Sequence, residues 1–205
     1  MTEPHTIIFD LGNVLISWDP RRLYRKVFAT EQEADWFVTN ITHLDWNEEQ
    51  DRGRPVAEAT EELVLRHPEW EREIRMYYDR WTEHFGGAIA GSADILRQLH
   101  ASGRYRLLAL TNWSAELFPW AREQFDFLAL FEDIMVSGEV KMKKPNPDIY
   151  LKLRDTYGLG DFSGCLFIDD SARNVAGAQG LGLEGIRFTG PQALREELTH
   201  RGVLD

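Results

Sequence analysis

Ile7-Ile8-Phe9-Asp10-Leu11-Gly12-Asn13-Val14-Leu15 opens as an apolar run too short for a helix. It is rich in β-branched and aromatic side chains, the mark of a buried central strand. The run delivers one carboxylate, Asp10, to its end, and Gly12-Asn13 then turns the chain away. In open α/β sheets, ligands bind beyond the carboxyl ends of the strands, so Asp10 stands where chemistry usually happens. Taken alone, the segment reads equally well as a capped turn or as part of an active site. The rest of the chain decides between them.

A chain of 205 residues holds one generous domain, or a core with a small insert. Hydrophobic residues at 43% beside 28% charged are ordinary for a folded globule and exclude disorder as the default. A net charge of −11 argues against a nucleic-acid groove, which needs clustered Lys and Arg to neutralise phosphates. Cys165 is the only cysteine, so no internal disulfide forms and a reducing compartment is expected. Its apolar neighbours Leu166, Phe167 and Ile168 make it a small core residue rather than a nucleophile. No run of roughly 18 apolar residues is present, nor a charged-then-apolar leader pattern. The expected location is the cytoplasm, with no membrane partner.

After Leu15 the texture becomes helical. Asp19-Pro20 suits a helix start, with Leu23, Val27 and Phe28 on one face. A second helix is expected over 31–39, with Ala34, Phe37 and Val38 inward. Residues 43–54 are polar and acidic with a break at Gly53, and helices follow over 55–65 and 69–85. No strand is expected between residues 20 and 85. Trp46, Trp70 and Trp81 fit the core of such a bundle. Gly86-Gly87 marks a hinge or boundary. Beyond it strands at 106–111, 134–136, 166–168 and 186–188 alternate with helices at 92–101, 115–125, 148–157, 172–180 and 192–200. That alternation implies α/β architecture, a parallel sheet covered on both faces. The helical block is then an insertion between the first strand and the remainder.

Three later strand ends carry polar groups suited to phosphate chemistry. Leu110-Thr111-Asn112 ends in a hydroxyl and a carboxamide, both able to hydrogen-bond phosphoryl oxygens. Lys143-Lys144-Pro145 sets a cation just before a helix, where it could neutralise a transferring phosphoryl group. Phe167-Ile168-Asp169-Asp170-Ser171 ends in adjacent carboxylates, with Asn174 one turn on. Together with Asp10 these are the hard oxygen ligands that Mg²⁺ takes alongside water and substrate phosphate. Each piece alone reads as a cap or a solvated charge. Their order, each at the end of a separate expected strand or in the loop that follows it, favours a site.

With these residues in place the chain resembles the haloacid dehalogenase-like hydrolases. Asp10-Leu11-Gly12-Asn13-Val14 is similar to the first motif of that family, except at its third position. Leu108 to Thr111 resembles the second motif, Lys144 the third, and Asp169-Asp170 with Asn174 the fourth. The resemblance spans the chain, because the family's helical cap lies between motifs one and two. It implies a Rossmann-like core from residues 1–15 and 89–205, and a helical cap from residues 16–88.

The resemblance further implies an Mg²⁺-dependent phosphatase acting on a small phosphorylated metabolite. Asp10 would be the nucleophile, forming an aspartyl-phosphate that water hydrolyses. Asp10, Asp170 and the Gly12 carbonyl would hold Mg²⁺, with Asp169 either a direct ligand or a supporting partner. Thr111 and Lys144 would bind phosphoryl oxygens, Lys144 also holding Asp10 ionised, and Asn112 would orient the substrate. The departure is Gly12, where family phosphatases carry a second aspartate as general acid and base, a group worth about 10²–10⁴-fold in rate.

Three explanations are open: a cap residue such as Asp19 or His43 supplies the proton, the substrate has a good leaving group, or the enzyme is weak and broad. Members sharing Asp-Leu-Gly-Asn-Val resemble sugar-phosphate phosphatases, which draws attention to sugar 1-phosphates. Two alternatives remain: a 2-haloacid dehalogenase, disfavoured by Asp170 and Gly12, and a non-catalytic binding protein on the same scaffold. Trp18, His43, Trp46 and Trp113 are candidate pocket edges. Monomer and homodimer are both open.

Overall fold

A computed structural model of the protein describes residues 4–205. Its centre is the strand anticipated above, β1 (Thr6–Phe9), with every residue buried. β2 (Ile16–Trp18) and β3 (Phe85–Ala88) pair with each other outside the main sheet. The remaining strands are β4 (Arg106–Thr111), β5 (Asp133–Val136), β6 (Cys165–Asp169) and β7 (Glu184–Arg187). They join β1 in a five-stranded sheet of order β5-β4-β1-β6-β7, parallel at every pairing. Ile8 is in register with Leu108 on one side and Phe167 on the other. The ends of β1, β4 and β6 therefore lie side by side, and Asp10, Thr111 and Asp169 with them.

The alternation of side chains along a strand divides the core in two. Ile7, Phe9, Leu107, Ala109, Leu166 and Ile168 belong to one apolar cluster, and Ile8, Leu108, Leu110 and Phe167 to the other. Cys165 is buried in the second. The first cluster includes residues of α6 (Ala90–Ser102), α7 (Phe118–Gln124) and α11 (Pro191–His200). The second includes residues of α9 (Pro147–Tyr157) and α10 (Ala172–Gln179). Between β5 and α9 lies the single turn α8 (Ser137–Val140).

Between β2 and β3 come α1 (Arg21–Tyr24), α2 (Glu31–Asn40), α3 (Leu44–Gln50), α4 (Val56–Arg66) and α5 (Glu71–Asp79). They enclose a third cluster around Tyr24, Phe37, Trp46 and Tyr77. α2 starts at a capping box, in which Thr30 and Glu33 each satisfy the other's backbone N–H.

Three readings of this block need correction. The helix expected from Asp19-Pro20 lasts only four residues, because Lys26 and Val27 bond three residues back and tighten the chain into turns. The polar stretch after His43 is helical, forming α3. The helix expected to run to Phe85 gives way there to β3, and Gly86-Gly87 lie inside that strand, where Ser17 pairs with Gly87. A Cβ on Gly86 would fall 2.6 Å from the Arg22 guanidinium, which donates to Ser17 Oγ at 2.8 Å. A side chain there would have to displace that guanidinium.

Candidate active site

Lys144 is the hub of the polar cluster at the strand ends. Its ammonium lies 2.8 Å from Asp10 Oδ1 and 2.7 Å from Asp169 Oδ2, and donates to the Leu110 carbonyl at 2.8 Å. Those three acceptors match the three protons of the ammonium. The lysine side chain is wholly buried, as is Asp169, and Asp10 nearly so. Burial alone would lower the Lys144 ammonium, but the carboxylates of Asp10 and Asp169 more than offset this and hold it above the ordinary lysine range. Burial also pushes the Asp10 carboxyl up to about 8; Lys144 draws it only part of the way back, and Asp169 and Asp170 raise it further. Asp10 Oδ1 further accepts the Leu11 N–H at 2.7 Å.

The adjacent carboxylates of β6 diverge in role. Asp169 accepts from Lys144, from the Ser171 N–H at 2.8 Å and from Asn174 Nδ2 at 3.0 Å, so both its oxygens are taken. Asp170 instead lines a cavity of about 300 Å³ between the sheet ends and the helical layer, together with Gly12 and Asn112. Carboxylate oxygens of Asp10, Asp169 and Asp170 all lie within 4.8 Å of one another. Three carboxylates against one ammonium leave an excess of negative charge, and a hard oxygen donor set of this kind fits Mg²⁺.

Thr111 ends β4 with its Oγ1 buried and without a hydrogen-bond partner. An unmet buried hydroxyl costs about 1–3 kcal/mol, a penalty that an incoming phosphoryl oxygen would relieve. Asn112 lines the cavity, where it was expected to orient substrate, and it also braces the site. Its carboxamide closes a pair of hydrogen bonds with the Lys144 backbone, accepting N–H at 2.9 Å and donating to the carbonyl at 3.0 Å. It fixes the lysine loop against β4.

The helical layer supplies the other wall. Trp18, Tyr77, Tyr78, Trp81, Phe85 and Trp113 give it an aromatic character, with Phe85 and Trp113 stacked at 5.4 Å. Trp18 and Trp113 are thus pocket residues, as anticipated, and Trp81 joins them instead of standing only in the bundle core. Trp46 belongs to the interior, buried and donating its indole N–H to the Ala59 carbonyl at 3.2 Å. His43 does not reach this cavity. Its ring caps α3 by accepting the Trp46 N–H, and it lines a separate cleft beside Pro20 and Thr42. Asp19 is absent from the wall too, being bonded to the Arg21 N–H and ion-paired with Arg21 and Arg25.

Four contributors escaped the sequence reading: Glu48, Asp51, His84 and Arg173, all lining the cavity. Glu48 is buried and ion-paired with Arg173 and, at 2.8 Å, with Lys143, so it ties α3 to the core. His84 is buried against Tyr77, and burial pushes its imidazole down to about 4. The one signal that could have found Glu48 and Asp51 is the density of polar groups at 47–51, unusual for a helix that packs on another layer; His84 and Arg173 carry no such signal.

The haloacid dehalogenase-like hydrolase family model matches residues 4–182. A sesquiterpene phosphatase of Aspergillus oryzae is 28% identical over 198 residues, covering 93% of each chain. Among solved structures, a predicted family hydrolase from Porphyromonas gingivalis superposes with a TM-score of 0.74 at 24% identity, covering 97% of this chain and 98% of its own. A family enzyme from Bacteroides thetaiotaomicron, in complex with magnesium and inorganic phosphate, has a TM-score of 0.68 at 23% identity, with 91% and 95% covered. With the match extending from before β1 to beyond α10, this chain belongs to the haloacid dehalogenase-like hydrolases.

Proposed function

We propose that the protein is an Mg²⁺-dependent phosphatase that hydrolyses a small phosphorylated metabolite through a phosphorylated Asp10. One observation carries the reading: Asp10 and Asp170 at neighbouring strand ends, tied through Lys144 and Asp169, beside a cavity sized for a small ligand. Ligand pockets run from about 300 to 1,000 Å³, so this one suits a compact molecule. Asp10 attacks phosphorus in its ionised form, which the Lys144 ammonium favours and orients. The bond from phosphorus to the leaving oxygen breaks, and water then cleaves the aspartyl-phosphate. Thr111 Oγ1 donates to a phosphoryl oxygen. Asp10, Asp170 and the Gly12 carbonyl would hold Mg²⁺, with Asp169 supporting them through Lys144. Bound there, the cation shields the phosphate's negative charge from the incoming carboxylate.

The names and contents of relatives support this reading: a phosphatase in one case, a magnesium and phosphate complex in another. The aromatic wall suits a leaving group with an apolar face, and the C–H face of a sugar ring is one such surface. A cytoplasmic setting accords with the lone buried cysteine. Among the described residues no helix is long and apolar enough to cross a membrane. The test is phosphate release from p-nitrophenyl phosphate, sugar 1-phosphates and sugar 6-phosphates, with and without Mg²⁺, beside Asp10→Asn. Turnover that needs Mg²⁺ and vanishes in Asp10→Asn is expected. Metal-independent chloride release from a 2-chloro acid would move the protein to the dehalogenases.

A further inference from the structure

An alkoxide leaves phosphorus poorly unless it is protonated as the bond breaks, and the residue two after Asp10 is a glycine. A Cβ built on Gly12 meets no atom within 4 Å, so nothing from its surroundings fills that space. The proton has to come from another wall of the cavity. Of the cap residues considered, Asp19 and His43 lie elsewhere. Glu48 is held by two cations. His84, with its imidazole pushed down to about 4, carries no acidic proton near neutral pH. Asp51 remains.

We infer that Asp51, one residue past the end of α3, is the general acid and base of this active site, delivered from the helical layer into the cavity that Gly12 and Asp170 also line. The inference rests on the phosphatase reading. The backbone of Asp51 is fastened to the core: Ser137 Oγ donates to its carbonyl and also accepts the Trp113 N–H at 2.9 Å. The turn that follows seats closely on α8. Gly53 has φ +102°, and a Cβ there would come within 3.2 Å of the Gly138 carbonyl. The Asp51 carboxylate accepts from Asn47 Nδ2 at 3.4 Å, and the Ser114 N–H lies near enough to favour its ionised form. Ser114 belongs to the loop after β4, so the core itself orients this acid.

Its surroundings suit the task. Burial pushes the Asp51 carboxyl up, and the Lys143 and Lys144 cations with the Ser114 N–H bring it back only to about 7. The Tyr77 and Tyr78 phenols facing it from α5 are themselves held far up by burial. A carboxyl in that range can both give and take a proton. In the first step Asp10 forms its bond to phosphorus, the ester P–O bond breaks, and the leaving oxygen takes the Asp51 proton to depart as an alcohol. In the second, ionised Asp51 takes a proton from the water that attacks phosphorus. The bond to Asp10 breaks, phosphate leaves, and both carboxyls return to their starting states.

The test compares wild type with Asp51→Asn on p-nitrophenyl phosphate and on an alkyl phosphate, both with Mg²⁺. A nitrophenolate leaves without help, so kcat/KM on that ester should fall far less than on the alkyl ester, where a loss of about 10²-fold or more is expected. The second step lacks its base with either substrate. Asp51→Asn should therefore release a burst of p-nitrophenol, one equivalent per enzyme, followed by slow turnover. The burst also shows that the variant is folded. Equal losses on both esters without a burst, or an unchanged rate on the alkyl ester, would overturn the assignment while leaving the phosphatase reading in place. No Mg²⁺-dependent turnover by wild type would remove that reading and this inference with it.

Discussion

Lys144 commits all three of its protons within the protein, and that fixes how its neighbours behave. Removing one partner from a buried ion pair typically costs about 3–5 kcal/mol; here two carboxylates share the same cation. Of the two roles expected for Lys144, pairing with Asp10 is therefore the one the geometry favours. Asp10 and Asp170 were legible because each follows the end of an apolar strand, where a charge is conspicuous, and Lys144 because it stands just before the Pro145 and Pro147 that precede α9. The engagement of Asp169 with Lys144, Asn174 and Ser171 was not, since adjacent carboxylates look alike until their partners are known.

Asp51 was invisible for a different reason: its properties come from burial and from Lys143 and Lys144, far away in the chain. Its raised carboxyl has a consequence for stability. The folded state keeps the Asp51 proton up to about pH 7, whereas the unfolded chain loses it near the ordinary 3.8. Wild type thus loses stability relative to Asp51→Asn as pH rises from about 4 to about 7, and the difference levels off above that. Melting temperatures of the two proteins in EDTA, measured across pH 4 to 9, should diverge in that sense; parallel curves would show that the carboxyl is not buried as described.

The element that turns the scaffold into a site is α3, and it is the element the chain's pattern concealed. An amphipathic helix betrays itself by apolar residues at helical spacing. In α3 most positions that face the cavity are polar, Asn47, Glu48 and Gln50 beside Leu44, because their surroundings are a charged site and not an apolar core. β3 was masked likewise: its two glycines read as a hinge, though they let the chain return beside Arg22 and Ser17. Glu48 fastens α3 to the core through Lys143 and Arg173. Glu48→Gln keeps the shape and removes the charge, leaving largely buried Lys143 with only the weaker, more exposed Glu49 carboxylate at 3.4 Å. Urea denaturation should record a loss of about 1–3 kcal/mol. The roof of the cavity should loosen as well, raising KM several-fold with a smaller change in kcat. An unaltered KM would mean that this latch does not set the roof.

At the scale of the whole molecule, the parallel sheet was readable because central strands buried on both faces appear as short continuous apolar runs. Parallel pairing aligns their carboxyl ends, so motifs scattered over 160 residues of chain, from Asp10 to Asp170, arrive within one cluster. What no pattern along the chain reveals is how the helical layer meets that sheet. The aromatic wall and Asp51 become part of the site only by that meeting, and both depend on contacts between residues far apart in sequence. In the proposed mechanism the sheet supplies the nucleophile and the cation-binding oxygens, and the helical layer a wall against the leaving group.

The most direct measurement is mass spectrometry of the protein quenched in acid within milliseconds of mixing with p-nitrophenyl phosphate and Mg²⁺. A gain of one phosphoryl group, localised by peptide mapping to Asp10 and absent from Asp10→Asn, is the result predicted here. Turnover with no phosphorylated enzyme at any quench time, in wild type and in Asp51→Asn alike, would contradict a nucleophilic Asp10.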